Sequence, residues 1–167
     1  MSKLRMRKAQ LWYFDFIVGA TIFLLSIVIA LRYVTTDYYI KIRESNILVD
    51  EANRLSSSLM TTGIPNNWTR ENVVSIGIAN EDKSINLSKL EELKEIDNDY
   101  LKLKSLIGIK NDFMISFENS EGEAINFGKE YFGIPPNGKD VVTITRYMVY
   151  RHDDIAEIIG MKVKVWK

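Results

Sequence analysis

Few side chains in this sequence have the types and spacing that catalysis or metal binding requires. The single histidine, His152, is followed by Asp153 and Asp154, and an imidazole beside two carboxylates could bind a metal ion or transfer a proton. The chain contains no cysteine, which excludes thiol chemistry and leaves zinc and haem with almost no ligands. No set of nucleophile, base and orienting group is evident. We therefore interpret residues 151–154 as a polar turn between strands, and we expect neither an enzyme nor a cofactor.

Two asparagines could accept a glycan. Asn67 and Asn86 each begin an Asn-x-Ser/Thr tripeptide, the acceptor sequence for N-glycosylation of segments that lie outside the cell. Ser88, which completes the second tripeptide, also starts a capping-box pattern with Glu91, so it predicts the start of a helix. This competing role makes Asn67 the better candidate of the two.

A third candidate is Asp15, a carboxylate near the start of an otherwise apolar stretch from Leu11 to Val34. At about 1.5 Å per residue, a helix of this length covers the roughly 30 Å of a bilayer core. A carboxylate costs little near the end of a membrane helix and several kcal/mol at its centre. Buried among apolar helices, it needs a cationic partner. The alternative interpretation is that Asp15 is an interfacial residue, favoured by the positive N-terminal end of the helix dipole.

The apolar stretch has three possible interpretations: a buried core helix, a cleaved secretory signal peptide, or a retained membrane helix. A basic cluster directly before it disfavours a core helix, and its length exceeds the roughly 7–15 apolar residues of an ordinary signal peptide. We favour a retained membrane helix. The positive-inside rule then predicts a cytoplasmic N-terminus and an extracellular remainder. The basic cluster consists of Lys3, Arg5, Arg7 and Lys8, and the more diluted cations of the other flank are Arg32, Lys41 and Arg43.

Beyond the apolar stretch, helical periodicity continues. Apolar residues recur at spacings of three, four and seven, which predicts one long helix from about residue 10 to residue 60, ended by Gly63 and Pro65. Asp50 and Glu51 are expected on its solvent side. The apolar stripe of this second half consists of Ile40, Ile47, Leu48, Ala52, Leu55 and Leu59.

The remaining residues predict a small head of class α+β, with short helices inserted before an antiparallel sheet that packs on the amphipathic half of the helix. Helices are expected from Ser88 and from Asp97 or Asn98, the second ending at Gly108. In the last strand, alternate residues predict a buried face and a wet face that includes Trp166. Strands are expected at about 73–78, 113–117, 124–127, 141–150 and 156–166, with an irregular loop at 132–139.

The segment 7–25, RKAQLWYFDFIVGATIFLL, resembles the class III signal peptide of type IV pilins, and most closely that of archaeal pilin-like proteins. In that family a prepilin peptidase cuts on the cytoplasmic side, before the apolar segment. The resemblance implies a cut between Ala9 and Gln10, with Lys8 before the small residue. Bacterial pilins carry a glutamate at the fifth mature position, whereas Asp15 would be the sixth here. The resemblance also implies that the new α-amino group of Gln10, from the same or a neighbouring chain, pairs with Asp15.

On this resemblance the chain divides into four parts: a leader (1–9), a hydrophobic membrane or filament-core helix (10–34), an amphipathic continuation (35–62) and an extracellular head (63–167). The implied function is a pilin-like subunit that is anchored in the membrane and then assembled into a cell-surface filament. The implied partners are other pilin subunits, the prepilin peptidase, an assembly ATPase with its membrane platform, and membrane lipid. A net charge of zero gives no indication of nucleic-acid binding. The alternative is a single-pass, membrane-anchored extracellular binding protein that does not polymerise.

Overall fold

The computed structural model describes residues 3–137, 140–152 and 155–167. The fold is α+β, as predicted: a long N-terminal helix, two short helices and a five-stranded antiparallel sheet. The chain divides into two units, residues 1–44 and 45–167, and the second unit contains the whole head. The elements are α1 (Lys3–Leu59), α2 (Leu87–Asp97), α3 (Tyr100–Ile107), β1 (Asp112–Glu118), β2 (Ala124–Ile125), β3 (Phe132–Gly133), β4 (Val141–His152) and β5 (Ile155–Trp166).

The second half of α1 contributes an apolar stripe to the core of the head, as its periodicity predicts. Buried apolar side chains recur every three or four residues, which is one face of a helix. The prediction is wrong for two residues: Ile40, which belongs to the first unit, and Ile47 are exposed. Successive residues are about 100° apart around a helix, so Ile47 lies off the stripe that begins at the next residue. The buried stripe consists of Leu48, Ala52, Leu55 and Leu59.

Glu51 was expected to face solvent, and this expectation is wrong. Only 3% of Glu51 is exposed, and its carboxylate accepts hydrogen bonds from the backbone N–H groups of Lys110 and Asn111, each at 3.2 Å. The side-chain amide of Asn111 donates a third, at 3.0 Å. A buried carboxylate is tolerated when several N–H groups donate to it, so Glu51 fastens α1 to the turn between α3 and β1.

The stretch expected to form a strand at 73–78 is irregular. Its backbone bonds to the end of α1 and the turn that follows, with Ile78 N–H donating to the carbonyl of Leu59 at 2.9 Å. Gly77 permits this close packing, because a Cβ there would lie 2.3 Å from the carbonyl oxygen of Thr61. The carbonyl of Gly77 accepts a hydrogen bond from the indole of buried Trp68 at 2.8 Å.

The two short helices are confirmed, but their first residues differ from the prediction. Asn86 caps the N-terminus of α2, with its side chain accepting from the backbone of Lys89, so Ser88 is not the cap. Asp99 caps α3, in place of Asp97 or Asn98. Gly108 ends α3 in the left-handed conformation, at φ 73°, which favours a residue without Cβ.

The sheet has the order β2-β1-β5-β4, with β3 also pairing with β1. The alternating burial of β1 and of residues 161–165 in β5 is confirmed, and the inner residues of both strands belong to one core with α1 and α2. Two expectations are wrong. Phe132–Gly133 forms the short strand β3 within the loop expected to be irregular, and Trp166 is fully buried, donating to the side chain of Asn137 at 3.1 Å. Residues 138 and 139 of that loop lie outside the described residues.

Replacing Glu51 with glutamine tests its role in fastening α1. The amide group places an NH₂ against N–H donors, so we expect the free energy of unfolding of the head to fall by about 1–3 kcal/mol. The measurement is chemical denaturation of the full chain in detergent. Asp50→Asn changes the exposed neighbour and should stay within about 0.5 kcal/mol of the parent. Equal stabilities for the two variants would contradict the role given to Glu51.

Candidate functional site

The most unusual surface of this protein is the first half of α1. Every side chain from 12 to 36 is exposed except that of Ala20, which is half-buried, and Trp12 is 80% exposed. Among the described residues, α1 is the one helix long and apolar enough to cross a membrane. A continuous apolar surface of this extent far exceeds the few hundred Å² that a soluble monomer exposes.

The serine and threonine hydroxyl groups within this apolar stretch bond to the helix itself. Thr21 donates to the carbonyl of Ile17 and Ser26 to that of Ile22, both at 2.8 Å. A polar group in hydrocarbon costs free energy unless it has a partner, and the hydroxyls of Thr21 and Ser26 each have one within their own helix. The stretch can therefore enter an apolar environment without leaving these groups unsatisfied.

Aromatic residues mark both ends of the stretch. Trp12 and Tyr13 lie at one end and Tyr33 at the other, all with exposed rings. Trp12 and Tyr33 are 21 positions apart, which corresponds to about 31 Å of helix, close to the thickness of a bilayer core. Tryptophan and tyrosine concentrate at membrane interfaces, where a ring is partly buried while its polar atom stays hydrated. Charge and hydropathy alone did not reveal these anchors, although the sequence contains them.

The predicted processing and assembly residues all lie on α1. The helix includes Lys8, Ala9 and Gln10, whose side chains lie outside the described part of the structure. Asp15 is exposed, and no side chain in the described part of the chain forms an ion pair with it. A Cβ at Gly19, one turn further on, would have no atom within 4 Å, so packing within this chain does not require a glycine there.

The two candidate glycan acceptors have different surroundings. Asn67 is exposed in a turn closed by a hydrogen bond from Trp68 N–H to the carbonyl of Pro65 at 3.1 Å. Asn86 uses its carboxamide oxygen to cap α2, and its amide nitrogen donates to the side chain of Asn80 at 2.8 Å. Glycosylation uses that nitrogen, so Asn86 would lose its hydrogen bond to Asn80, whereas none of the described residues forms a hydrogen bond with the side-chain amide of Asn67.

An open cleft of about 1180 Å³ lies beside these asparagines on the head. Lys89 is buried beneath it and donates to the carbonyl of Thr62 at 2.6 Å, and its burial lowers the pKa of the ammonium group. Asp82 accepts from Ser84 and pairs with Arg151 at 2.9 Å, and the bonds from Ser84 chiefly lower its pKa. These charged groups are thus engaged by the protein itself.

His152 lies at the end of β4, and its ring stacks on that of Tyr150 with centroids 6.1 Å apart. Its sequence neighbours Asp153 and Asp154 lie outside the described residues. Across the described ranges, no group of three or more histidine and acidic side chains could hold a metal ion. The geometry therefore adds nothing to the case for a metal centre.

The chain matches no protein-family model, no curated protein and no solved structure. Its function must therefore be inferred from its own residues and geometry.

The surroundings of the two asparagines give a prediction about modification. If the native protein carries an N-glycan, we expect it on Asn67 and not on Asn86, because only Asn67 has a free and exposed amide. Peptide mass mapping of native protein, before and after enzymatic deglycosylation, would locate it. A glycan found on Asn86 alone would contradict this expectation.

Proposed function

We propose that this chain is a type IV pilin-like subunit, anchored in the cell membrane by its N-terminal helix and then assembled into a cell-surface filament. The observation that supports this most strongly is the exposed apolar half of α1 on a helix whose other half is packed into a folded head. Such a segment needs apolar surroundings, which either lipid or the same segment of other copies provides. The motif in residues 7–25 supports the pilin interpretation.

The proposed arrangement has a cytoplasmic N-terminus and an extracellular head. The basic residues that precede the apolar stretch support this orientation, because positive charge is retained on the cytoplasmic side. The interfacial aromatic residues Trp12, Tyr13 and Tyr33 support a span between those two positions. In this arrangement no residue is given a catalytic role: the activity of the subunit is assembly.

The proposed processing step creates a cation for Asp15. A cut between Ala9 and Gln10 would leave a free α-amino group at Gln10, five residues before the carboxylate. Five residues turn a helix by about 500°, so the two groups of one chain lie about 140° apart around its axis. The amine of a neighbouring subunit is therefore the better partner. A carboxylate buried among apolar helices is tolerated when a cation pairs with it. A neighbouring subunit whose helix is shifted along the filament axis would not place its amine beside Asp15, so the pairing would select one register.

A membrane-anchored extracellular protein that does not polymerise is the second candidate. The exposed apolar half of α1 is sufficient for this role too, since crossing a bilayer requires only length and apolarity. The two functions differ in whether the leader is removed and whether the carboxylate within the apolar stretch is needed.

Mass measurement and N-terminal sequencing of native protein extracted from membranes test the proposal. We expect loss of the nine residues before Gln10. Ala9→Leu should block this cut by placing a bulky side chain at the small-residue position, whereas Met6→Leu, a change within the leader away from the cut, should be processed normally. An intact N-terminus on the native protein would favour the non-polymerising anchor.

Asp15→Ala tests the assembly step separately. We expect normal membrane insertion, because losing a charge only favours the apolar segment, together with loss of incorporation into filaments sheared from cells. Asp15→Asn keeps the shape and should fail in the same way. Asp37→Ala removes a carboxylate outside the apolar stretch and serves as the control. Assembly of the Asp15 variants at the level of the control would refute the pairing role.

A further inference from the structure

The two edges of the sheet are very different. The outer side of β1 is covered by two strands of two residues each, β2 and β3. The other edge is β4, a strand of 12 residues that pairs with β5 one-to-one along its full length, from Val141 opposite Trp166 to His152 opposite Ile155. This unbroken register means that no bulge bends the edge away from an approaching strand.

The free backbone groups of this edge can be assigned to particular residues. Ile85 N–H donates to the carbonyl of Val149 at 2.8 Å, on the side of β4 away from β5. Because backbone groups alternate in direction along a strand, every second residue before Val149 also points its N–H and C=O away from the sheet. Within the described ranges, no hydrogen bond reaches these groups. The residues concerned are Val141, Thr143, Thr145 and Tyr147.

This edge lacks the features that usually prevent pairing with another chain. Residues 141–147 contain no proline, glycine or lysine. Their only charge is on Arg146, whose guanidinium group bonds to Ser56 and Asn53 of α1, at 3.3 Å each. Tyr147 is 71% exposed and Val141 38% exposed on the outer face of the sheet. An exposed edge of this kind is a template for a further strand.

We propose that β4 is a docking edge for β4 of a second copy of this chain, paired antiparallel about Ile144. In this register Thr143 lies opposite Thr145, and Val141 lies opposite Tyr147, in both directions. All four outward-facing residues of each copy then find partners for their N–H and C=O groups. Val149, whose carbonyl already accepts a hydrogen bond from Ile85, takes no part in this pairing.

The side chains of this pairing are complementary as well. Thr–Thr and aromatic–β-branched pairs are among the favourable cross-strand combinations. On the outer face, the two-fold pairing gives two Thr143–Thr145 pairs and two Val141–Tyr147 pairs. On the inner face Ile144 opposes itself and Val142 opposes Arg146, so no like charges meet. These matches are the reason for choosing a second copy as the partner rather than an unrelated segment.

The direction of α1 decides how the contact is best measured. Glu51 bonds near the start of β1, and Asn53 and Ser56 bond to the middle of β4. Leu59 bonds to Ile78, which bonds in turn to Asn86, next to the residue that bonds to Val149. This part of α1 therefore runs alongside β4 in the same direction, and an antiparallel pair sets the two copies of it antiparallel. Copies of one orientation in a membrane or filament would have parallel helices, so this contact is one between copies of opposite orientation, and detergent solution leaves full-length chains free to adopt it. The contact is small, so we expect it to be weak and to require trapping.

Disulfide trapping tests the pairing and its register. The chain has no cysteine, so full-length Thr143→Cys and Thr145→Cys chains with different tags can be mixed in detergent and oxidised without background. We expect the mixed disulfide as the main product, because these positions lie opposite each other within the range that a disulfide spans. Absence of cross-links would refute the pairing. Homodisulfides in excess over the mixed product would refute the register.

A matched pair of charge variants provides an independent test. Both Val141 and Tyr147 are exposed, so substitutions there should leave the fold intact. Val141→Lys with Tyr147→Lys sets lysines opposite each other twice in the pair, whereas Val141→Lys with Tyr147→Glu sets opposite charges together. We expect the fraction of dimer, by sedimentation in detergent at low salt, to differ by about tenfold in favour of the second variant. Equal dimer fractions would refute the pairing.

This contact involves the head alone and does not depend on the proposed processing or filament assembly. Repeating the trapping with Asp15→Ala in both chains separates the two proposals. Mixed disulfides are expected at the same yield, because Asp15 lies outside the contact. If Asp15→Ala instead abolishes the cross-link, the pairing is a product of assembly through α1 and the edge proposal fails. If filament formation fails for other reasons, the trapping result in detergent still stands.

Discussion

The carboxylate of Glu51 connects the two kinds of structure in the second unit of this protein, the amphipathic end of α1 and the sheet-bearing head. It accepts three hydrogen bonds from Lys110 and Asn111, at the turn that starts β1. The apolar stripe on the same helix contributes burial without a directional bond, because hydrophobic contact is not directional. Hydrogen bonds to a buried carboxylate are directional and cannot be exchanged for water, so they fix which face of α1 meets the core.

The long helix serves two environments with one backbone geometry. Between residues 48 and 59, its apolar residues follow a narrow stripe, because only one face meets the core. Between residues 12 and 36, apolar side chains lie on every face and the serine and threonine hydroxyls bond to the helix itself, while the charged side chains, Asp15 and Arg32, lie near the two ends. The change in pattern is carried entirely by side chains, since backbone hydrogen bonding within a helix is the same in water, protein or lipid.

Local patterns allowed much of this fold to be predicted, and non-local contacts account for the errors. The period of α1 from Leu48 onward, the alternation of residues 161–165 in β5 and the cap at Gly108 depend on near neighbours, and all three are confirmed. Glu51 and Trp166 are ordinary surface residues by pattern, and only their distant partners make them buried. Asparagine and serine are both residue types that cap helices, and Asn86 and Ser88 are only two positions apart. The bond from Asn86 to Asn80, which lies outside the tripeptide, is a contact that the local pattern does not contain. The apolar site itself was predictable, whereas cleavage before Gln10 and pairing of Asp15 depend on other molecules and stay predictions.

The placement of the three tryptophans has a practical consequence. Trp68 and Trp166 are enclosed in the head, while Trp12 stands at the beginning of the apolar stretch with its ring uncovered. The chain thus has separate intrinsic fluorophores for its two environments. Brominated lipids would quench the emission of the first ring according to its depth, while the emission of the other two would follow loss of native packing in the folded domain. The same unlabelled sample can therefore distinguish extraction from a bilayer and denaturation, which a single global signal would merge.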